Sequence, residues 1–371
     1  MDAGRNRHAA RALVAGAALA IAVSGCGTSP RPAPAAARPQ PTVPVGFEPE
    51  AVAIRGEHRY WLLGTAPCRP ARCSFILRTA DGGRTFAKAP APKLPSTTAV
   101  PRLQFADGRN GFAYVLGPGG AFFATHDGGA TWHRLALGDV LALAAAGEST
   151  YAVTAHCSLN GCTGFRLRHS HLSSDSWSTT PLPFTPDGTV VDLAARGSSV
   201  WLLGTPANNH AEYDTLARST DDGRTFATAS GPCYAGLGGR LAPVSAATWA
   251  VCPSGNLGIA LRSSDDGATW QRLATPTLVN SAQLAAASAD TAVVFGNGAG
   301  SRLFRTTDSG AGWHPARTPH PAAAVSWLGF GDARTGYALV QTGWDAPAKT
   351  ERQKLWRTTD GGARWLAVSL R

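Results

Sequence analysis

The sequence predicts an all-β fold, a seven-bladed β-propeller with four-stranded antiparallel blades. Three observations predict it: a turn motif repeated in phase, a strand pattern repeated with it, and scarcely any helical periodicity outside the N-terminal segment. The motif is clearest at Arg357-Thr358-Thr359-Asp360-Gly361-Gly362-Ala363-Arg364-Trp365, and further copies start at Thr79, Thr125, Ser219, Ser263 and Thr306. They follow S/T-x-D-x-G-x-T-W/F. The Asp carboxylate (Asp81, Asp127, Asp221, Asp265, Asp308, Asp360) can accept bonds from turn N–H groups and hydroxyls. The Gly can take φ > 0 without a Cβ clash, and the final aromatic can fill the gap between units. Those aromatics are Phe86, Trp132, Phe226, Trp270, Trp313 and Trp365, spaced by 46, 94, 44, 43 and 52 residues. Trp177 falls near the middle of the double step, behind a segment, 167–176, that reads as a copy without its Asp and Gly. Seven units of this length each suit one four-stranded blade.

Each unit follows one template. A strand of small residues opens it, as in Leu141–Ala146, Val191–Ala195 or Leu284–Ala287; innermost strands crowd towards the axis, where small side chains fit. A β-rich second strand follows, as in Tyr60–Gly64, Val200–Gly204 or Ala292–Gly296. A variable loop leads to the third strand, the motif turns the chain, and a fourth strand closes the blade. Each blade is thus complete in sequence, ending with Leu366–Leu370. Ring closure then rests on side-chain contact between blades 7 and 1, unless residues near Thr42–Phe47 add a strand.

The motif resembles the Asp-box (BNR) repeat of sialidase-like propellers. The wording of a whole unit, such as Leu103-Gln104-Phe105-Ala106-Asp107, then Gly111–Gly117, then Thr125–Trp132, is similar to photosystem II stability/assembly factor-type propellers. That resemblance spans residues 45–371 and implies a seven-bladed scaffold without chemistry of its own.

Residues 1–25 read as a processing segment. Arg5, Arg7 and Arg11 precede an apolar run, Ala12–Val23, too short for a stable span. Val23-Ser24-Gly25-Cys26 resembles the lipobox of bacterial lipoproteins, which implies cleavage before Cys26 and its acylation; several acyl chains anchor far better than one. Residues 26–44 are a Pro- and Ala-rich tether, and 45–371 are the propeller. The protein is expected outside the cytoplasm, held on the outer face of the cell membrane, or secreted if Cys26 is not lipidated.

Six further cysteines allow fifteen pairings. The blade template narrows these to Cys68–Cys73, Cys157–Cys162 and Cys233–Cys252, all on the face opposite the turn motifs, and oxidised cysteines agree with export. The resemblance places ligand binding on that same face. Its longest loops, Thr205–Thr215 and Gln341–Lys354, offer Asn208, Asn209, His210, Glu212, Tyr213, Asp214, Trp344, Asp345, Lys349 and Arg352 as candidate binding residues, joined by Arg69 and Arg72.

The chain is basic, at a formal net charge of +10. Much of that charge is set by the repeat, because Arg78, Arg218, Arg262, Arg305 and Arg357 each precede a motif. A basic surface favours anionic wall polymers or lipid headgroups. No basic-aromatic nucleic-acid module occurs, and no P-loop, dinucleotide fingerprint, H-E-x-x-H or G-x-S-x-G. His169 and His171 alternate on one strand but have no third ligand nearby, so neither metal nor cofactor is expected. Sialidases would require an Arg-Ile-Pro-type motif, three convergent arginines and a Tyr–Glu pair; F/Y-R-I-P is absent, and the adjacent Glu212 and Tyr213 would point apart on a strand. Seven-bladed xyloglucan-degrading enzymes would need paired carboxylates, for which only Asp214 or Asp345 offer themselves. The expectation is therefore a monomeric, non-enzymatic, lipid-anchored propeller that binds a protein or glycan of the cell envelope. A glycoside hydrolase acting at the same face and an architectural or sensory ectodomain are the alternatives.

Overall fold

Each run of four strands pairs only with its sequence neighbours, so the repeats fold as local antiparallel meanders. A computed structural model describes residues 43–69, 71–95, 101–207, 212–279, 283–298, 300–322, 324–342 and 352–370. The processing segment, Cys26 and nearly all of the tether lie outside them. Seven sheets with strand order 1-2-3-4 form blades 1 to 7, spanning 48–90, 101–135, 139–180, 186–234, 240–272, 284–315 and 324–367. Among the described residues there is no helix. Blade 5 carries an extra strand, Leu278–Val279, paired with its third strand at Leu257–Gly258.

The core is divided among the seven seams between blades. Trp61 and Ile76 of blade 1 pack with Leu103 and Phe105 of blade 2 and half-buried Trp132. Phe112 and Phe122 of blade 2 meet Val140 and Ala152 of blade 3 and Trp177. The next four seams repeat the arrangement, with Phe226, Trp270, Trp313 and Trp365 each against the preceding blade. The last seam closes the ring: Phe86, Tyr60 and Leu62 of blade 1 pack on Tyr337, Leu339 and Leu355 of blade 7. Val43 and Phe47 are buried in it but form no strand, so closure rests on side chains.

The turns explain the motif atom by atom. In blade 1 the Thr79 hydroxyl donates to Asp81 Oδ1 (2.8 Å) and accepts from Gly83 N–H (3.0 Å). Asp81 also accepts from Thr85 N–H (3.0 Å) and the Thr85 hydroxyl (2.6 Å). Blades 2, 4 and 5 repeat this set. Blade 6 has Gly312 and blade 7 has Arg364 where the hydroxyl would be, and each keeps only the backbone bond. Both residues at the tip are left-handed. In three blades the first is not glycine: Asp222, Asp266 and Ser309 sit at φ 60°, 58° and 62°. The second is always glycine, and a Cβ on Gly362 (φ +90°) would come within 2.4 Å of Val293 Cγ2 in blade 6.

The arginine before each motif reaches across the seam. Arg78 donates to Asp127 O and Gly128 O, Arg218 to Asp266 Oδ2, Arg262 to Ala289 O, and Arg305 to Gly361 O. Arg357 closes the ring by donating to Gly82 O and Glu57 O of blade 1. The residue paired with it on the second strand assists: Trp61, Trp201 and Trp249 donate their indole N–H to the next blade. Blades 2 and 3 have Ala124 and His169 in place of the arginine.

Two predictions follow from these turns. Gly362→Ala should destabilise by about 1–3 kcal/mol from the backbone alone, with the Val293 clash added, read from a urea denaturation midpoint. All six motif carboxylates are held below the usual range; for Asp127, burial opposes this, but bonds from Thr131, Thr125 and Ala130 bring its pKa to about 2. A depressed carboxylate adds stability above its unfolded value of about 3.9 and loses it as pH falls through the folded value. The urea midpoint should therefore drop between about pH 4 and pH 2, and a flat profile there would contradict the assignment.

Candidate binding face and central cavity

Chain direction sorts the loops onto two faces. The turn between strands 1 and 2 lies beside the motif turn of its own blade, as bonds from Gly82 N–H to His58 O, Gly128 N–H to Arg109 O and Gly361 N–H to Arg334 O show. The loops between strands 2 and 3, and the links between blades, therefore emerge on the opposite face. The three disulfides form as expected and all lie there: Cys68–Cys73, Cys157–Cys162 and Cys233–Cys252. The first two close loops within blades 1 and 3. The third ties the last strand of blade 4 to the second strand of blade 5.

The predicted rim residues divide. Asn208, Asn209, His210, Trp344, Asp345 and Lys349 lie outside the described residues; Arg352 opens the third strand of blade 7, with its side chain also outside them. Arg69 and Glu212 are exposed. Tyr213 is exposed too and stacks on Tyr234, with centroids 5.2 Å apart and planes 19° from parallel. Arg72 is engaged within its own blade, paired with Glu48 (3.3 Å) and donating to Thr65 Oγ1 and O (both 3.0 Å). Asp214 departs from expectation. It is 1 % exposed, accepts a 2.6 Å bond from the Thr205 hydroxyl, and its carboxyl is pushed up by burial. Thr205 in turn accepts from Gly236 N–H (2.6 Å). Asp214 thus braces a loop from inside through Oδ1 and is not part of an exposed rim.

The hub holds a cavity of about 720 Å³ lined mainly by the first strands of blades 1 to 5 and 7, with Gln283 just ahead of blade 6. Small residues leave it open: Ala51, Ala53, Ala142 and Gly239 face it alongside Val52, Leu141 and Val191. Its polar groups come from separate blades. Arg102 and Tyr114 belong to blade 2, Asp192 to blade 4 and Arg240 to blade 5, where Arg102 and Arg240 begin their blades at the disulfide-bearing face. Their electrostatics are linked. Arg102 is lowered by burial and by repulsion from Arg240, with Tyr114 opposing. The Tyr114 phenol is pushed up to about 12 by burial, against the pull of both arginines. Asp192 is raised by burial, opposed by the bond it accepts from Leu241 N–H (2.7 Å) and by Arg240. Glu50, which accepts from the Thr65 hydroxyl, and Arg55 also line the cavity, so three arginines stand against two carboxylates and the hub keeps an excess of positive charge, a setting that attracts an anionic group. Sequence reading missed these four residues. The available signal was charge at the inner strands, since Asp192 interrupts the run Val190-Val191-Asp192-Leu193-Ala194-Ala195 and Arg240 opens the otherwise apolar Leu241-Ala242-Pro243-Val244.

A family model described as sortilin, neurotensin receptor 3 (Sortilin-Vps10) matches residues 258–370. No curated protein sequence matches the chain. Among solved structures, YCF48 from Cyanidioschyzon merolae is similar with a TM-score of 0.53 at 12% identity, covering 86% of this chain and 98% of that one. A YCF48 with bound D1 peptide gives a TM-score of 0.48 at 16% identity, covering 75% and 87%. A structure from a study of two prolyl endopeptidases gives 0.58 at 14% identity; it covers 87% of this chain and 48% of that one, so this chain spans about half its length. Identities this low establish a common fold and nothing finer.

Removing Cys233–Cys252 by double alanine substitution should cost about 3 kcal/mol, and removing Cys68–Cys73 about 2 kcal/mol, by loop-closure entropy. Chemical denaturation of the two variants would check the order.

Proposed function

We propose that the chain is a non-enzymatic, lipid-anchored extracytoplasmic propeller that binds a protein or glycan partner of the cell envelope through its disulfide-bearing face. The observation that carries the reading is the hub: Arg102 and Arg240 face one cavity with Asp192 as the nearby counter-charge, and Asp192 is already bonded to Leu241 N–H. A partner that brings an acidic group to the mouth of the cavity would supply the missing charge, and the exposed Tyr213–Tyr234 pair on the same face provides an aromatic contact. The Val23–Cys26 segment supports the anchor, and the Pro-rich residues after it would hold the propeller away from the membrane.

The test combines crosslinking and fractionation. Crosslinked membranes should yield a defined partner with the wild type and at least tenfold less with Arg102→Ala/Arg240→Ala, while the folded fraction stays unchanged. Cys26→Ser should move the protein from the detergent phase to the aqueous phase on phase partitioning. Equal capture by the double variant would remove the hub from the binding site, and an unchanged partition would remove the anchor. The hub also holds arginines, a tyrosine and a carboxylate, the residue types of a sialidase site, so a glycosidase reading has an observation behind it. Turnover of a fluorogenic sialoside or of a β-glucan would replace the binding proposal with that one.

A further inference from the structure

Blades 2 and 3 meet at a seam built differently from the others. Ala124 stands where other blades place an arginine, and Phe112 stands where three of them place a tryptophan. On the opposite face Asp139 of blade 3 accepts from Gly120 N–H of blade 2; on the motif face three other side chains make the polar link. His126 is the variable residue of the blade 2 motif, His133 begins the fourth strand of that blade, and Asp175 lies in the degenerate turn of blade 3. Leu172 stands where the motif aspartate would be, and Asp175 comes three residues later, at the position of Arg84 in blade 1 and Ala130 in blade 2. The Ser170 hydroxyl lies within 3.1 Å of the carbonyl oxygens of His171, Ser174 and Ser176 and has one proton to donate among them. The Asp175 carboxylate turns back to blade 2, with Oδ1 3.2 Å from His126 Nε2 and Oδ2 2.6 Å from His133 Nε2. The two imidazoles lie 5.5 Å apart between centroids.

We propose that His126, His133 and Asp175 bind one divalent transition-metal ion, with Zn²⁺ as the matching chemistry, and that the ion fastens blade 2 to blade 3. The argument rests on which atoms face one another. Asn110 is 8 % exposed and commits its Nδ2 to Asp107 Oδ2 (2.7 Å), which turns its Oδ1 towards His126 Nδ1 (2.7 Å). His126 must therefore donate from Nδ1, and in the neutral ring Nε2 carries the lone pair. That lone pair points at a carboxylate oxygen, so two acceptors confront each other and need a cation between them. A proton on His126 is the competing cation, since His133 can donate to Asp175 from its Nε2–H tautomer without one; a metal takes all three groups as ligands at once. The donor atoms all lie within 4.8 Å of one another. Zinc with bonds of about 2.0–2.1 Å asks for neighbouring ligands about 3.3 Å apart, which small side-chain rotations supply. Two imidazoles and a carboxylate suit zinc and its neighbours rather than calcium or magnesium. The Asn110–His126 bond is the outer support that metal-binding histidines usually have. A fourth position faces solvent, since His133 and Asp175 side chains are 43 % and 41 % exposed.

The test uses the full chain, stripped with EDTA and titrated with Zn²⁺, and separately with Co²⁺ as a spectroscopic probe. The expected result is one saturable site, visible-region absorption from bound Co²⁺, and a higher thermal midpoint with metal. His133→Gln and Asp175→Asn should each weaken binding by about 100-fold, and Asn110→Ala by roughly 10- to 100-fold, with metal-free midpoints of the two exposed variants close to wild type. His171→Ala is the control; that ring belongs to the same turn as Asp175 but faces Glu148 and Ser173, and its loss should leave binding unchanged. Absence of saturable binding would overturn the proposal. So would binding that survives His133→Gln and Asp175→Asn, or that falls equally with His171→Ala, because the metal would then be held by scattered surface histidines.

Discussion

The structure depends on one constraint: no blade can bury both faces of its own sheet. A four-stranded meander leaves its inter-blade faces apolar, and only a neighbour on each side removes that surface from water. The seam is therefore the unit of stability, and each of the seven clusters draws on two blades. The ring must close for the same reason, because an open array would expose the first and last sheets. Among the described residues it closes without exchanging a strand. Tyr60 and Phe86 against Tyr337, with Arg357 reaching Gly82 and Glu57, do the work that a swapped strand would otherwise do.

This constraint explains why the fold could be read from the sequence and much of the hub could not. Strand order, blade number and disulfide pairing follow from local pairing and a repeat period, both visible in one chain read left to right. The hub residues come from blades 2, 4 and 5, far apart in sequence, and only the closed ring brings them to one cavity. Asp214 shows a different kind of miss. It was read as part of a polar loop, yet it lies in strand Tyr213–Ser219 in phase with buried Leu216, two residues on. Strand alternation carried that information, and the polar wording of the loop masked it. The arginine before each motif was read correctly as belonging to the repeat, but its bond to the next blade needs the seam to be seen.

The two faces are unequal for a physical reason. On the motif face, tip carbonyls of blades 1, 2, 5 and 7 accept from arginine or tryptophan side chains of the preceding blade. Substitutions there would be felt across a seam. The opposite face carries loops whose ends are already fixed by strand pairing and, in three places, by a disulfide. Such loops can change composition without loosening a seam, so variation in recognition is best tolerated there.

The seam between blades 2 and 3 shows what happens when the repeat drifts. Losing the arginine at position 124 removes a donor that would otherwise reach the next turn, and losing the motif aspartate in blade 3 removes that turn's own acceptor. Each loss alone would leave a polar group without its partner. Together they leave Asp175 facing blade 2, where it meets His126, fixed by Asn110, and His133. The apolar contact persists through Phe112, Phe122 and Trp177, so burial still joins the blades, while an imidazole–carboxylate cluster stands on the motif face where other seams have an arginine bonded to the next blade.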